Sequence, residues 1–143
     1  LTYYEFMETP ITFGQDYTKA KKNVSRVNVT ALAEIISALK EYGLCVAVLE
    51  RPMKNPARFD ATCSAMRALE AELTVLELYD VPYMFIDSKE WQKEMLPKGV
   101  VGTKELKKAS LDIGKRLFPD IKDKHPDRDG ILIAEYARRK CLL

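Results

Sequence analysis

Leu44-Cys45-Val46-Ala47-Val48-Leu49-Glu50-Arg51-Pro52 is the stretch whose reading decides the fold. An apolar run bounded by Gly43 and Pro52 predicts a strand buried on both faces, the kind found in the middle of a parallel or mixed sheet. The run ends in a carboxylate. In open α/β sheets, ligands and chemistry gather at the carboxyl ends of strands, which makes Glu50 a candidate active-site residue. The plainer alternative is a glutamate that has emerged into solvent and pairs with Arg51 or a nearby lysine.

Outward from this strand the chain alternates. The apolar positions Leu32, Ile35, Ile36 and Leu39 recur at helical spacing and predict an amphipathic helix from about Asn28 to Tyr42, stopped by Gly43. A turn at 52–56 leads to a long predicted helix from Arg58 to Tyr79, with Met66, Leu69, Leu73 and Leu76 as its buried stripe. Val81 to Asp87 reads as a short strand and Ser88 as the N-cap of a short helix whose Trp91 packs inward. After a Pro- and Gly-bearing loop, Thr103 is placed to cap a helix. Leu106, Ala109, Ile113 and Leu117 face its core side, and Lys104, Lys107, Lys108 and Lys115 make its basic face. A last helix runs from Asp129 to Lys140 with Ile131, Leu132, Ile133, Ala134 and Ala137 inward. Upstream, Leu1 to Met7 reads as a strand, and Pro10 to Arg26 as a long exposed loop carrying Lys19, Lys21, Lys22 and Arg26, a group that would suit a phosphate backbone. Alternating elements of this length predict an α/β layer fold with a central sheet.

A chain of 143 residues is the size of one domain, so 1–143 is expected to be a single domain. Hydrophobic residues at 47% and charged residues at 31% are ordinary for a globular protein. The net charge of +2, from 23 basic and 21 acidic residues, leaves a nucleic-acid partner open, decided by local clustering. Cys45, Cys63 and Cys141 are widely spaced, with no CxxC pair and a single His, which argues for reduced, mostly packed thiols and against a structural zinc site. With no membrane-length apolar stretch and no signal-peptide pattern, the expected location is cytoplasmic.

The chemistry sharpens when Glu50 is read together with Lys124-His125-Pro126-Asp127-Arg128-Asp129. His125, Asp127 and Asp129 fall within five residues at the start of a helix. Carboxylates there are favoured by the helix dipole, and capping alone would account for Asp129. A strand-end carboxylate with a helix-start carboxylate is also what a site for one or two magnesium ions needs, because oxygen ligands on rigid elements fix the ions.

From about Thr30 to Lys140 the sequence resembles the RuvC-like Holliday-junction resolvases of the ribonuclease H-like superfamily, especially those carried by phages. The resemblance rests on Val46-Ala47-Val48-Leu49-Glu50, on Lys108-Ala109-Ser110 followed by Arg116-Leu117-Phe118-Pro119, on Asp129-Gly130-Ile131-Leu132-Ile133-Ala134-Glu135-Tyr136 with Arg138-Arg139, and on Trp91-Gln92-Lys93. It implies a ribonuclease H-like central mixed sheet flanked by helices, and a magnesium-dependent endonuclease, manganese substituting, that cuts branched DNA as a homodimer in a bacterial or phage-infected cell. By this resemblance Glu50 is the second of four acidic ligands and Asp129 the last. His125 or Asp127 fills the third place, although the spacing common in the family lands on Pro126. Lys104, Lys107 or Lys108 would hold the DNA backbone.

The sequence departs from the family at its start. The family's first aspartate lies on an opening strand, and nothing before Glu50 matches it; Asp16 stands in a polar loop. Leu1 to Met7 resembles the family's third strand, which implies an additional N-terminal segment about two strands long in the natural protein. The missing aspartate keeps two alternatives in view: a DNA-binding module of the same fold that no longer cleaves, and a ribonuclease H-like nuclease acting on RNA or hybrids.

Overall fold

The computed structural model describes residues 3–15, 19–20, 22–43 and 46–142. The protein is a mixed α/β structure. Its elements are β1 (Ile11–Gln15), β2 (Asn23–Val27), α1 (Val29–Glu41), β3 (Ala47–Glu50), a short 3-10 turn (Pro56–Arg58), α2 (Phe59–Leu78), β4 (Tyr83–Ile86), α3 (Ser88–Met95), α4 (Thr103–Leu117) and α5 (Asp129–Arg139). The described strands pair as two two-stranded sheets, β1 with β2 and β3 with β4, where the sequence predicts one central sheet.

The described residues gather into two compact units. One holds the described part of 1–8 with Val48–Glu50 and the chain from Phe85 onward; the other holds Thr9–Ala47 and Arg51–Met84.

The second of these contains the largest departure from the sequence reading. Ile11–Gln15 and Asn23–Val27 form an antiparallel hairpin, in register from Ile11 opposite Val27 to Gln15 opposite Asn23, in place of the expected loop. Lysines and Gly14 make the segment read as a loop, but cross-strand pairing tolerates polar side chains on an exposed face, and only Val27 in this hairpin is buried. Asp16 and Lys21 lie outside the described residues. Helix α1 starts as the capping rules require: the Asn28 side chain accepts from Ala31 N at 3.1 Å while Asn28 N donates to Pro10 O at 2.8 Å. It stops at Gly43, whose φ of +90° is the left-handed conformation that glycine adopts at least cost. In α2 the inward end is Val75 and Leu76.

The unit built on Phe85 onward is organised around Ile86, Trp91, Met95, Leu96, Phe118 and Ile131–Ile133, with Tyr4, Phe6, Val48, Leu106, Ile113 and Tyr136 packed against them. Trp91 and Leu132 are fully buried. Deleting most of either side chain costs about 2–5 kcal/mol, the lost transfer energy plus the cavity left behind. Residues 3–7 form no strand, against expectation, and Leu1 and Thr2 lie outside the described residues. Side-chain contacts hold this segment instead. The Tyr4 ring meets Phe118 edge-on at 4.7 Å, its hydroxyl donates to Asp120 Oδ2 at 3.2 Å, and the Phe6 ring lies 4.9 Å from the Arg128 guanidinium.

Smaller corrections concern helix faces and ends. Leu117 is 37% exposed and Ala134 is exposed, so neither is core. Their places are taken by Phe118, which turns inward as its N–H donates to Gly114 O at 2.8 Å, and by Ser110 and Gly114 on α4. Ser88 and Thr103 are the first helical residues, not the caps. The strand predicted from Leu44 is described from Ala47; Leu44 and Cys45 lie outside the described residues. Cys63 is half-buried and Cys141 exposed, so the packed-thiol expectation holds for neither in full. Among the described residues, no helix is long and apolar enough to cross a membrane.

Candidate functional site

Glu50 and the segment 123–129 belong to the same compact unit, so the site can be built within it. Glu50 is the last residue of β3 and half-buried. Its side chain is not left to solvent: Oε1 accepts from the indole Nε1–H of Trp91 at 3.0 Å. Trp91 is read from sequence as packing, and it does pack; it also fixes the orientation of the candidate ligand. A buried indole N–H requires an acceptor, and that requirement is the one sequence signal for the contact.

Asp129 opens α5 and is half-buried. Its carboxyl holds its proton to a higher pH than an ordinary aspartate. Burial is the largest cause; a hydrogen bond from Ser110 opposes it, the negative charges of Asp127 and Glu50 add to it, and Lys107 opposes it. Glu50 and Asp129 thus lie close enough to repel one another, and the positive charge nearby does not cancel the burial and that repulsion. Bringing a strand-end carboxylate and a helix-start carboxylate into one field is the arrangement the sequence predicts.

Asp127 is buried and both its oxygens are engaged. Oδ1 accepts from Asp129 N at 3.3 Å, capping the first turn of α5, and Oδ2 lies 3.6 Å from Lys107 Nζ. His125 Nδ1 is 3.4 Å from Asp127 Oδ1, and its ring stands edge-on to Phe6 at 6.0 Å. The structure therefore gives Asp127 a capping and ion-pairing role and leaves His125 beside it, half-buried. Lys107, expected to hold DNA, is partnered with Asp127, while Lys104 and Lys108 are exposed.

Two residues that sequence reasoning passed over build this corner. Arg128 is 1% exposed, and its guanidinium donates to the carbonyls of Asp123 (2.6 Å), His125 (3.1 Å) and Asp127 (3.1 Å), tying the loop that carries the acidic residues into one shape. Among the described residues no carboxylate pairs with it, and its Nε is buried without a partner. Room for this side chain exists because residue 114 is glycine: a Cβ there would sit 2.4 Å from Arg128 Cβ and Cγ. Ser110, fully buried, accepts from Arg128 N at 3.0 Å and bonds Asp129 as well. The signals for both were a serine on the inner face of an amphipathic helix and an arginine inside a polar run, each commonplace.

The donor chemistry suits a hard divalent cation. Among the described residues, however, no three His, Cys, Asp or Glu side chains are gathered closely enough to hold a metal ion by themselves. Magnesium is commonly held by one or two carboxylates with waters and substrate phosphates completing its shell, and Glu50 and Asp129 are the carboxylates that could serve in that way here. No protein-family model matches the chain, and comparison with curated proteins gives no match.

Proposed function

We propose that this protein is a divalent-metal-dependent endonuclease of ribonuclease H-like design that cuts phosphodiester bonds in branched DNA, acting as a homodimer. The observation that carries the reading is the placement of Glu50, at the end of β3 and held by the Trp91 indole, within the electrostatic field of half-buried Asp129 at the start of α5, whose carboxyl is raised first by burial and then by the charges of Asp127 and Glu50. Glu50 and Asp129 would hold the magnesium or manganese ion, with His125 or Asp127 as the further candidate ligand. Bound there, the cation supplies activation of a water and stabilisation of the charge that develops on phosphorus oxygens.

The chain's own residues supply the rest. Trp91 holds Glu50 in one orientation, and Ser110 does the same for Asp129. Arg128 fixes the loop between them and α5, so the carboxylates are positioned before substrate arrives. Lys104 and Lys108, exposed on α4, meet the phosphate backbone.

Engagement of Asp127 by Lys107 favours a second reading, a DNA-binding module of the same fold that does not cleave. The test is cleavage of a synthetic four-way DNA junction against linear duplex, with RNA–DNA hybrid as a further substrate, in magnesium, for this chain and for Glu50→Gln. Junction-selective cutting that disappears in Glu50→Gln supports the nuclease. Junction binding that is unchanged by a chelator, with no substrate cut, supports the module. Preferential cutting of the hybrid moves the substrate class to RNA.

A further inference from the structure

Helix α3 has two working faces. Trp91 points to Glu50, while Lys89, Gln92 and Lys93 line a hollow of about 320 Å³ that is completed by Lys98, with Leu96 and Leu106 among its apolar lining. The three lysines are exposed, and among the described residues none has an ion-pair partner. No acidic side chain lines the hollow. Like charges gathered at one concavity repel each other; water and salt screen that repulsion in part, and a bound anion relieves it further.

We propose that this hollow is a second nucleic-acid contact, holding one sugar-phosphate unit of a strand whose scissile bond lies at the Glu50–Asp129 site. The proposal rests on the nuclease reading and adds to it a place where the strand is gripped away from the carboxylates. The division of the lining fits that ligand. Apolar Leu96 and Leu106 suit the face of a sugar, and ammonium groups, compact point charges, suit phosphate oxygens at the rim. Residue 91 on the same helix holds Glu50, so a strand seated in the hollow is held by the element that orients the catalytic carboxylate.

The test is fluorescence anisotropy of a labelled four-way DNA junction with the full chain, in chelator so that nothing is cut, across a salt series. The variants are the hollow trio Lys89→Gln, Lys93→Gln and Lys98→Gln combined, and a control trio of exposed lysines elsewhere, Lys40→Gln, Lys54→Gln and Lys122→Gln combined. Each phosphate contact contributes roughly 0.9 to the slope of log affinity against log salt. The hollow trio is expected to bind about tenfold or more weakly and to flatten that slope by about 1, with the control trio within about threefold of the parent. Lysine-to-arginine replacement at the same three positions, which keeps the charge, is expected to restore binding. If the hollow trio loses no more than the control trio, the inference is overturned while the nuclease reading stands. If the parent chain binds no DNA, both fall. Circular dichroism monitors folding, and Lys93→Gln alone carries the test if the triple variant unfolds.

Discussion

Helix α5 carries two acidic residues in opposite circumstances. Glu135 is buried but accepts from Arg138 Nε and Nη2 at 2.8 and 2.7 Å and from Arg139 Nε at 2.9 Å, and these partners hold its carboxyl down to about 2. Asp129, at the start of the same helix, is pushed the other way by burial and by the neighbouring charges of Asp127 and Glu50. One carboxylate is matched by two arginines within its own helix; the other has a serine hydroxyl and Lys107 set against burial and two like charges. That contrast separates a structural acid from a candidate ligand.

The contrast is broken most severely by exchanging the two acids' fates. Asp129→Asn is expected to abolish junction cleavage, a loss of several kcal/mol of transition-state stabilisation or on the order of 10³-fold in rate. Glu135→Gln is expected to leave the rate near that of the parent once folding is allowed for. Equal losses in a single-turnover assay would erase the distinction.

Next in size is the scaffold beneath Asp129. Gly114→Ala drives a methyl into Arg128, which has no space to retreat, and should lower stability by about 3 kcal/mol by overpacking. Thermal unfolding measures it; an unchanged midpoint would mean that Arg128 moves freely and does not fix the loop. Trp91→Phe keeps most of the packing but removes the donor to Glu50, and by analogy with other outer-shell partners of metal ligands should reduce cleavage by roughly 10- to 100-fold. An equal effect on activity and on stability alone would make Trp91 a packing residue and nothing more.

The smallest effect is a pH dependence. Glu135 is lowered from its ordinary 4.5 to about 2, so its contribution is fully present above about pH 4.5 and is lost as pH falls from there toward 2. Because the arginine side chains are nearly half exposed, the contribution is on the order of 1–2 kcal/mol. Denaturant unfolding at pH 7 and pH 3 should show this loss in the parent and a reduced one in Glu135→Gln.

The helices were legible because their signals are periodic and local. Leu32, Ile35, Ile36 and Leu39 with Gly43 define α1 to within a residue or so, and the Asp129 start of α5 was read correctly. The hairpin was not, because Ile11–Gln15 and Asn23–Val27 are joined by polar residues and bury little, so nothing distinguishes them from a loop until they pair. Tyr3 to Met7 failed in the opposite sense. Its aromatic residues suit a strand, yet they are used against Phe118, Asp120 and Arg128. At the site, the carboxylates were legible because each stands at an element boundary that the sequence marks, Glu50 at a strand end and Asp129 at a helix start. Their supports were not: Trp91 and Ser110 work through contacts between segments far apart in sequence, and Arg128 bonds backbone carbonyls, which carry no side-chain signal.

The measurement that bears most directly on the central claim is a calorimetric titration of the full chain with magnesium and with manganese, alongside Glu50→Gln, Asp129→Asn and Glu135→Gln. The account predicts saturable binding to the parent and to Glu135→Gln, weakened at least about tenfold by either of the other substitutions. Absence of binding to the parent, or equal binding to all four proteins, would contradict it.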